Sequence, residues 1–188
     1  MIEDSHETRY AKYLDMLSMT YADAVDYLLS KYGPVRDDYF KEKSYQRFLN
    51  GEIKSISKGK YARTSEGLYT HHIDENRAEN LSDLKFIQHY QYPFSVHRRD
   101  KLVYADLIEH LILHAIIVKE TDGRFGEKGY TVFLAPIVQQ WYLDHRMLGP
   151  EWMKVAYRRS FLTEDEAKEL LKQIDKGPRA KVARDRKS

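Results

Sequence analysis

The run Leu102–Val118 limits this chain more than any other stretch. Apart from Asp106, Glu109, His110 and His114, every residue in it is apolar or aromatic. A surface helix carries one apolar stripe, whereas a helix that is apolar nearly all round belongs inside a core. The run is too short and too interrupted by polar groups to span a bilayer. It therefore predicts a buried central helix around which the rest must pack. With 188 residues there is material for one core and a small satellite, not for two full domains.

The flanks read as helical. Arg9–Leu17 and Thr20–Tyr32 form a pair, the second opening on Thr20 with Asp23 three residues on, in the manner of a capping box, and stopping at Gly33-Pro34. Asp38–Leu49 follows and ends at Asn50-Gly51, residue types that tolerate the left-handed conformation at a helix terminus. Past the central run, Thr131–Leu143 and Thr163–Ile174 continue the helical pattern, the latter opened by Thr163 and Glu166, with Gly126–Gly129 as a connecting turn. Gly67–Ile73 differs, being β-branched and aromatic enough for a short strand. Residues 74–100 are polar, with a turn of helix at Asn80–Phe86 and a break at Pro93. The expected fold is α+β and predominantly α-helical. Its organisation reads as an N-terminal helical segment (1–53), a core with a basic lead-in loop (54–120), C-terminal helices (121–175) and an unstructured basic tail (176–188).

The net charge of +2 is unevenly spread. Lys176–Ser188 holds six Lys/Arg against one Asp, and the lead-in loop carries Lys54, Lys58, Lys60 and Arg63 among Ser and Gly. His97-Arg98-Arg99 forms a third basic group just before the central run. Such clusters suit the phosphates of a polyanion as well as they suit solvent. The fifteen tyrosines could stack on bases, but more of them belong at the edge of a core. The absence of cysteine excludes disulfides and thiolate zinc sites, so any metal must be held by His and carboxylate. No secretory pattern opens the chain, and a cytoplasmic protein with no membrane association is the expectation.

Four of the eight histidines fall in two pairs. His110 and His114 lie four apart on the predicted helix, so both can face one ion or one phosphate, with Asp106 one turn earlier as a candidate to orient an imidazole. His71 and His72 are adjacent on the predicted strand and must point to opposite faces. One can hold an ion while the other, neutral near pH 7 and close to its ordinary pKa, accepts a proton from water. That division of labour fits hydrolysis of a phosphodiester. A structural site closed by four histidines fits the same residues.

The strand His71-His72, a polar interval, and then Lys101-Leu102-Val103-Tyr104 leading to Glu109-His110-Leu111-Ile112-Leu113-His114 together resemble the HNH, or ββα-metal (His-Me finger), endonucleases, in a form like those of phages and mobile elements. The likeness covers about Gly67–Val118. It implies a small finger core embedded between helical segments, with His71 and His110 as metal ligands, His72 as general base, and His114 as a further ligand or phosphate contact. It further implies one divalent ion (zinc, manganese, nickel or magnesium), a nucleic acid partner, DNA first, and leaves a homodimer open. Asp106, Glu109 and Lys101 become supporting residues, and Lys54, Lys58, Lys60, Arg63, Arg98 and Arg99 the nucleic-acid contacts. The chain departs from the family at Lys101, which stands where an Asn commonly precedes the helix His by nine residues, and in the long interval between His72 and His110. Both departures also suit a degenerate relative that binds a nucleic acid or a protein without cutting.

Overall fold

In the computed structural model, which describes residues 6–146 and 149–185, the chain is predominantly helical with one two-stranded antiparallel sheet. Helices α1 (His6–Leu17), α2 (Tyr21–Tyr32) and α3 (Glu42–Leu49) precede strand β1 (Tyr69–His72). Helix α4 (Leu84–Tyr90) lies between β1 and strand β2 (Leu102–Ala105), and α5 (Leu107–Glu120) follows directly. A helical segment over 129–143, with α6 (Ala135–Val138) between two π-helical stretches, then leads to α7 (Glu151–Arg159), α8 (Glu164–Lys176) and α9 (Ala180–Asp185). No helix among the described residues is long and apolar enough to cross a membrane.

The central helix is present but shorter than expected. Leu102–Ala105 is not its first turn but a strand, paired antiparallel with β1 in the register Tyr69↔Ala105, His71↔Val103 and His72↔Leu102. All four residues of β2 are buried. Val103 and Ala105 join the main core, while Leu102 and Tyr104 join a separate cluster with Val35, Tyr61 and Leu68. A strand covered on both faces loses its alternation and reads as the start of a buried helix. Asp106 makes the break: its backbone is extended, its carboxylate accepts from the Glu109 amide at 2.9 Å, and Glu109 accepts from the Asp106 amide at 2.8 Å. This is a full capping box, in the pattern D-x-x-E.

From Leu107 to Val118 every residue of α5 except His110 is buried, against α1, α2 and the 129–143 segment. A smaller core of Phe40, Tyr45, Phe48, Ile56, Ile87 and Phe94 holds α3, α4 and the chain between them. Gly67 brings the start of β1 against α7: at φ +73°, a Cβ there would lie 2.9 Å from the Val155 carbonyl. Helix α7, its apolar residues interrupted by Lys154 and ending on Arg158 and Arg159, falls within the stretch expected to hold the C-terminal helices.

Two further segments are more ordered than their composition suggests. The lead-in loop is tied down by a bridge between Phe40 and Lys58 and by bonds from Lys41 N to Ser57 O (2.8 Å) and from Gly59 N to Tyr39 O (2.9 Å). The tail expected to be unstructured is helical over Ala180–Asp185, and Arg179 is buried between Glu127, at 2.7 Å, and the ring of Tyr130. Residues 186–188 of that tail lie outside the described residues.

The charged groups at the start of α5 fasten it to the N-terminal helices. Glu109, 1% exposed, accepts from Lys31 Nζ at 2.5 Å and from the Tyr32 hydroxyl at 2.8 Å, and Asp106 accepts from the Tyr13 hydroxyl at 2.8 Å. Glu109→Ala would strip a cap and leave Lys31 facing a buried void. The expected cost is about 3 kcal/mol, near the low end for breaking a buried pair because Lys31 keeps some access to water. Urea denaturation of the variant checks it.

Candidate metal centre

The register of the sheet decides where the two strand histidines go. His71 lies on the face of β1 shared with Val103, toward the main core and α5, while His72 lies on the opposite face, beside Leu102. Helix α5 presents His110 and His114 from one face, a turn apart. His71 Nδ1 sits 3.1 Å from His110 Nε2, and the three rings lie with their centroids 5.0–5.2 Å apart. One nitrogen from each of His71, His110 and His114 falls within 4.8 Å of the other two, close enough to hold a metal ion. Nitrogens sharing one ion at about 2.0–2.1 Å sit roughly 3–3.5 Å apart, so the closest pair needs no movement.

Glu75 completes the cluster, and the sequence reading passed over it. The chain turns through a short 3-10 helix, Ile73–Asn76, immediately after β1, which swings Glu75 back over both strand histidines. Its Oε2 is 3.2 Å from His114 Nε2 and 3.7 Å from His71 Nδ1, and its Oε1 is 3.9 Å from His72 Nδ1. Burial alone would raise its pKa, but the contact with His114 and the neighbouring imidazoles hold the carboxyl well below the usual carboxylate range. An acid four residues after a strand histidine was the available signal.

Local packing sets the rings. His114 Nδ1 faces the Gly126 carbonyl at 3.2 Å, so a proton there leaves Nε2 for the cluster. Gly129 lies flat against the same ring, and a Cβ at that position would be 2.2 Å from His114 Cε1. His71 Nε2 meets the Tyr21 hydroxyl at 2.9 Å. His110 Nδ1 is buried with no partner among the described residues, so only its Nε2 is turned to useful work. Three imidazoles and a carboxylate are a donor set that suits zinc, nickel or manganese, whereas magnesium asks for more oxygen.

His72 belongs to a second network. Its Nε2 is 3.2 Å from His97 Nδ1, His97 Nε2 is 3.2 Å from the Tyr45 hydroxyl, and Tyr39 packs on its ring at a centroid distance of 4.5 Å. Burial pushes His72 down to about 4, and pushes His71 and His97 down to about 3. The expectation that His72 stays near its ordinary value is thereby corrected: an imidazole 2% exposed loses the hydration that stabilises its cation. It is neutral through the whole physiological range.

His72, Glu75, His110 and His114 line one cleft of about 760 Å³, which residues of the 123–137 segment, Arg124 and Lys128 among them, also line. None of the six basic residues proposed as nucleic-acid contacts lines it. Lys54, Lys58, Lys60, Arg98 and Arg99 are exposed elsewhere, and Arg63 is half-buried, bound to Glu66 and to the Tyr32 carbonyl at 2.9 Å, with its guanidinium over Tyr104. His97, in the basic triplet, is fully buried. Asp106 and Glu109, expected to support the histidines, instead cap α5 and anchor it. Lys101 sits 3.9 Å from Asp74 Oδ2.

No protein-family model, curated protein or solved structure matches this chain. The geometry of the cleft therefore carries the functional argument.

Proposed function

We propose that this chain is a metal-dependent endonuclease of the HNH type, hydrolysing phosphodiester bonds in DNA. One observation carries the reading: a neutral imidazole, His72, opens onto the same cleft as the convergent His110 and His114, with His71 behind them and Glu75 between the two groups. A structural site would be closed by its ligands, whereas this cluster stands in the wall of a cleft of about 760 Å³. The antiparallel β1–β2 pair leading into α5 also has the order of elements that the family resemblance implies.

His71, His110 and His114 would hold the ion, with Glu75 as an adjoining oxygen donor. A divalent ion bound there supplies a positive charge that stabilises the phosphate and the leaving oxygen as negative charge develops. His72 accepts the proton of the attacking water through Nδ1, the nitrogen nearest Glu75. Arg124 and Lys128, which also line the cleft, would attract the phosphate backbone, and this supports a nucleic acid lying across the cleft rather than along the lead-in loop. The anchoring that an Asn gives the family is divided here between Lys101, paired with Asp74, and His97, which contacts His72.

Supercoiled plasmid and a structured RNA, each incubated with zinc, manganese, nickel or magnesium and with chelator, test the reading. Nicking or linearisation of plasmid is expected with at least one ion, none with chelator, and a loss of ion binding in His110→Ala. Ion binding without cleavage under any of these conditions would reassign the cluster to a binding scaffold or a structural zinc site.

A further inference from the structure

Two tyrosines from the N-terminal helices reach the site histidines, and each hydroxyl also contacts a backbone carbonyl. Tyr21, on α2, lies 2.8 Å from the Ile73 carbonyl and 2.9 Å from His71 Nε2. Tyr45, on α3, lies 2.9 Å from the Tyr92 carbonyl and 3.2 Å from His97 Nε2, and His97 Nδ1 in turn lies 3.2 Å from His72 Nε2. Tyr21 and Tyr45 are buried, as are the three imidazoles.

A hydroxyl has one proton, and a carbonyl can only accept. Each tyrosine therefore gives its proton to the carbonyl and offers its imidazole a lone pair. Facing the Tyr21 lone pair, His71 must carry its proton on Nε2, which leaves Nδ1 bare, 3.1 Å from His110 Nε2 and 3.7 Å from Glu75. Facing the Tyr45 lone pair, His97 carries its proton on Nε2, so its Nδ1 is an acceptor. His72 then donates through Nε2 and keeps Nδ1 bare on the side of Glu75. The opposite tautomer in either chain would set two lone pairs, or two N–H groups, against each other between buried side chains.

We infer that Tyr21 and Tyr45 are positioning residues that fix the tautomers of His71 and His72, Tyr45 acting through His97, so that both present a bare Nδ1 toward the cleft. The consequence for cleavage rests on the proposed hydrolytic reading, but the tautomers do not. The N-terminal helices thereby become part of the site rather than packing around it. Tyr21 serves the ion-holding cluster and Tyr45 serves the base, so their loss should have separable effects. In Tyr45→Phe, His97 Nε2–H loses its acceptor, and His97 is free to move its proton to Nδ1 and donate to His72. That would place the His72 proton on Nδ1, where the lone pair is needed.

Long-range proton–nitrogen correlation of the full chain, labelled at histidine and freed of metal by chelator, reads each tautomer with no reference to activity. The wild type should show the Nε2–H form at both His71 and His72. Tyr21→Phe should disturb the pattern of His71 alone and weaken zinc binding by roughly 10–100-fold, the usual effect of losing a ligand's hydrogen-bond partner. Tyr45→Phe should disturb His97 and His72 and leave zinc affinity unchanged. His97→Asn, whose side-chain oxygen can still accept from His72 Nε2, should restore the His72 pattern that His97→Leu loses. An Nδ1–H form at either histidine in the wild type would overturn the inference without any variant, as would phenylalanine variants with unchanged spectra. A protein with the expected tautomers that cuts no nucleic acid would sink only the hydrolytic reading.

Discussion

Cleavage of plasmid by His72→Ala should fall by about 10²–10⁴-fold, the usual effect of removing a general base, while ion affinity stays as in the wild type. The separation follows from the pleat of β1. His72 and His71 are neighbours in sequence but lie on opposite faces of the strand, and the convergent cluster contains only His71. His71→Ala should accordingly lose ion binding and cleavage together. The two variants, compared by calorimetric ion titration and by nicking rate, distinguish a base from a ligand. Equal cleavage by His72→Ala and wild type would remove His72 from the chemistry and leave Glu75, its carboxylate neighbour, as the group to replace next. Because His72 packs under Tyr39 and beside His97, the comparison needs circular dichroism to confirm that the alanine variant keeps its fold.

The histidine cluster was legible in the sequence because periodicity reports which residues share a face. An i, i+4 pair on an apolar helix and an adjacent pair on a strand have few ways to meet, and His71, His110 and His114 do meet. Helical content was legible for the same reason, through the Thr20 and Thr163 caps and the run into α5. The boundary between β2 and α5 was hidden because Leu102–Ala105 is covered on both faces, although Asp106 and Glu109 carried the capping signal in plain view. What periodicity does not report is which distant loop returns to the site. Glu75, His97, Tyr21 and Tyr45 reach the histidines through a 3-10 turn and through helices packed by tertiary contacts. Charge density misled in a related way. The conspicuous basic clusters are solvated or structurally engaged, and the cations that do line the cleft, Arg124 and Lys128, stand four residues apart outside any basic cluster.

Acid should unfold the metal-free protein unusually early. Burial lowers His71 and His97 to about 3 and His72 to about 4, and takes His110 well below its ordinary value, against 6.5 for the unfolded chain. A histidine lowered on folding contributes stability that is complete above pH 6.5. That stability is lost as the pH falls, since the unfolded state then binds a proton that the folded state refuses. Each such group adds a slope of about 1.4 kcal/mol per pH unit. Asp106 works in the opposite sense: burial and the charge of Glu109 raise it to about 7, so the folded state gains a proton between pH 7 and the unfolded value of 3.8. Four histidines less one aspartate leave a slope of roughly 4 kcal/mol per pH unit below 6.5. Against a total stability of about 5–15 kcal/mol, a fold at the low end should be lost roughly one pH unit below that point, and a more stable one only as the pH nears the folded-state values of about 3–4. Glu75, held low in the folded state, adds a further loss only once the pH drops below its unfolded value of 4.5. Urea midpoints measured in chelator at pH 8, 7, 6 and 5.5 should be flat over the first pair and fall sharply over the second. A flat profile down to pH 5 would mean that the imidazoles protonate as freely in the folded state as in the unfolded chain, and burial would then not be what keeps them neutral.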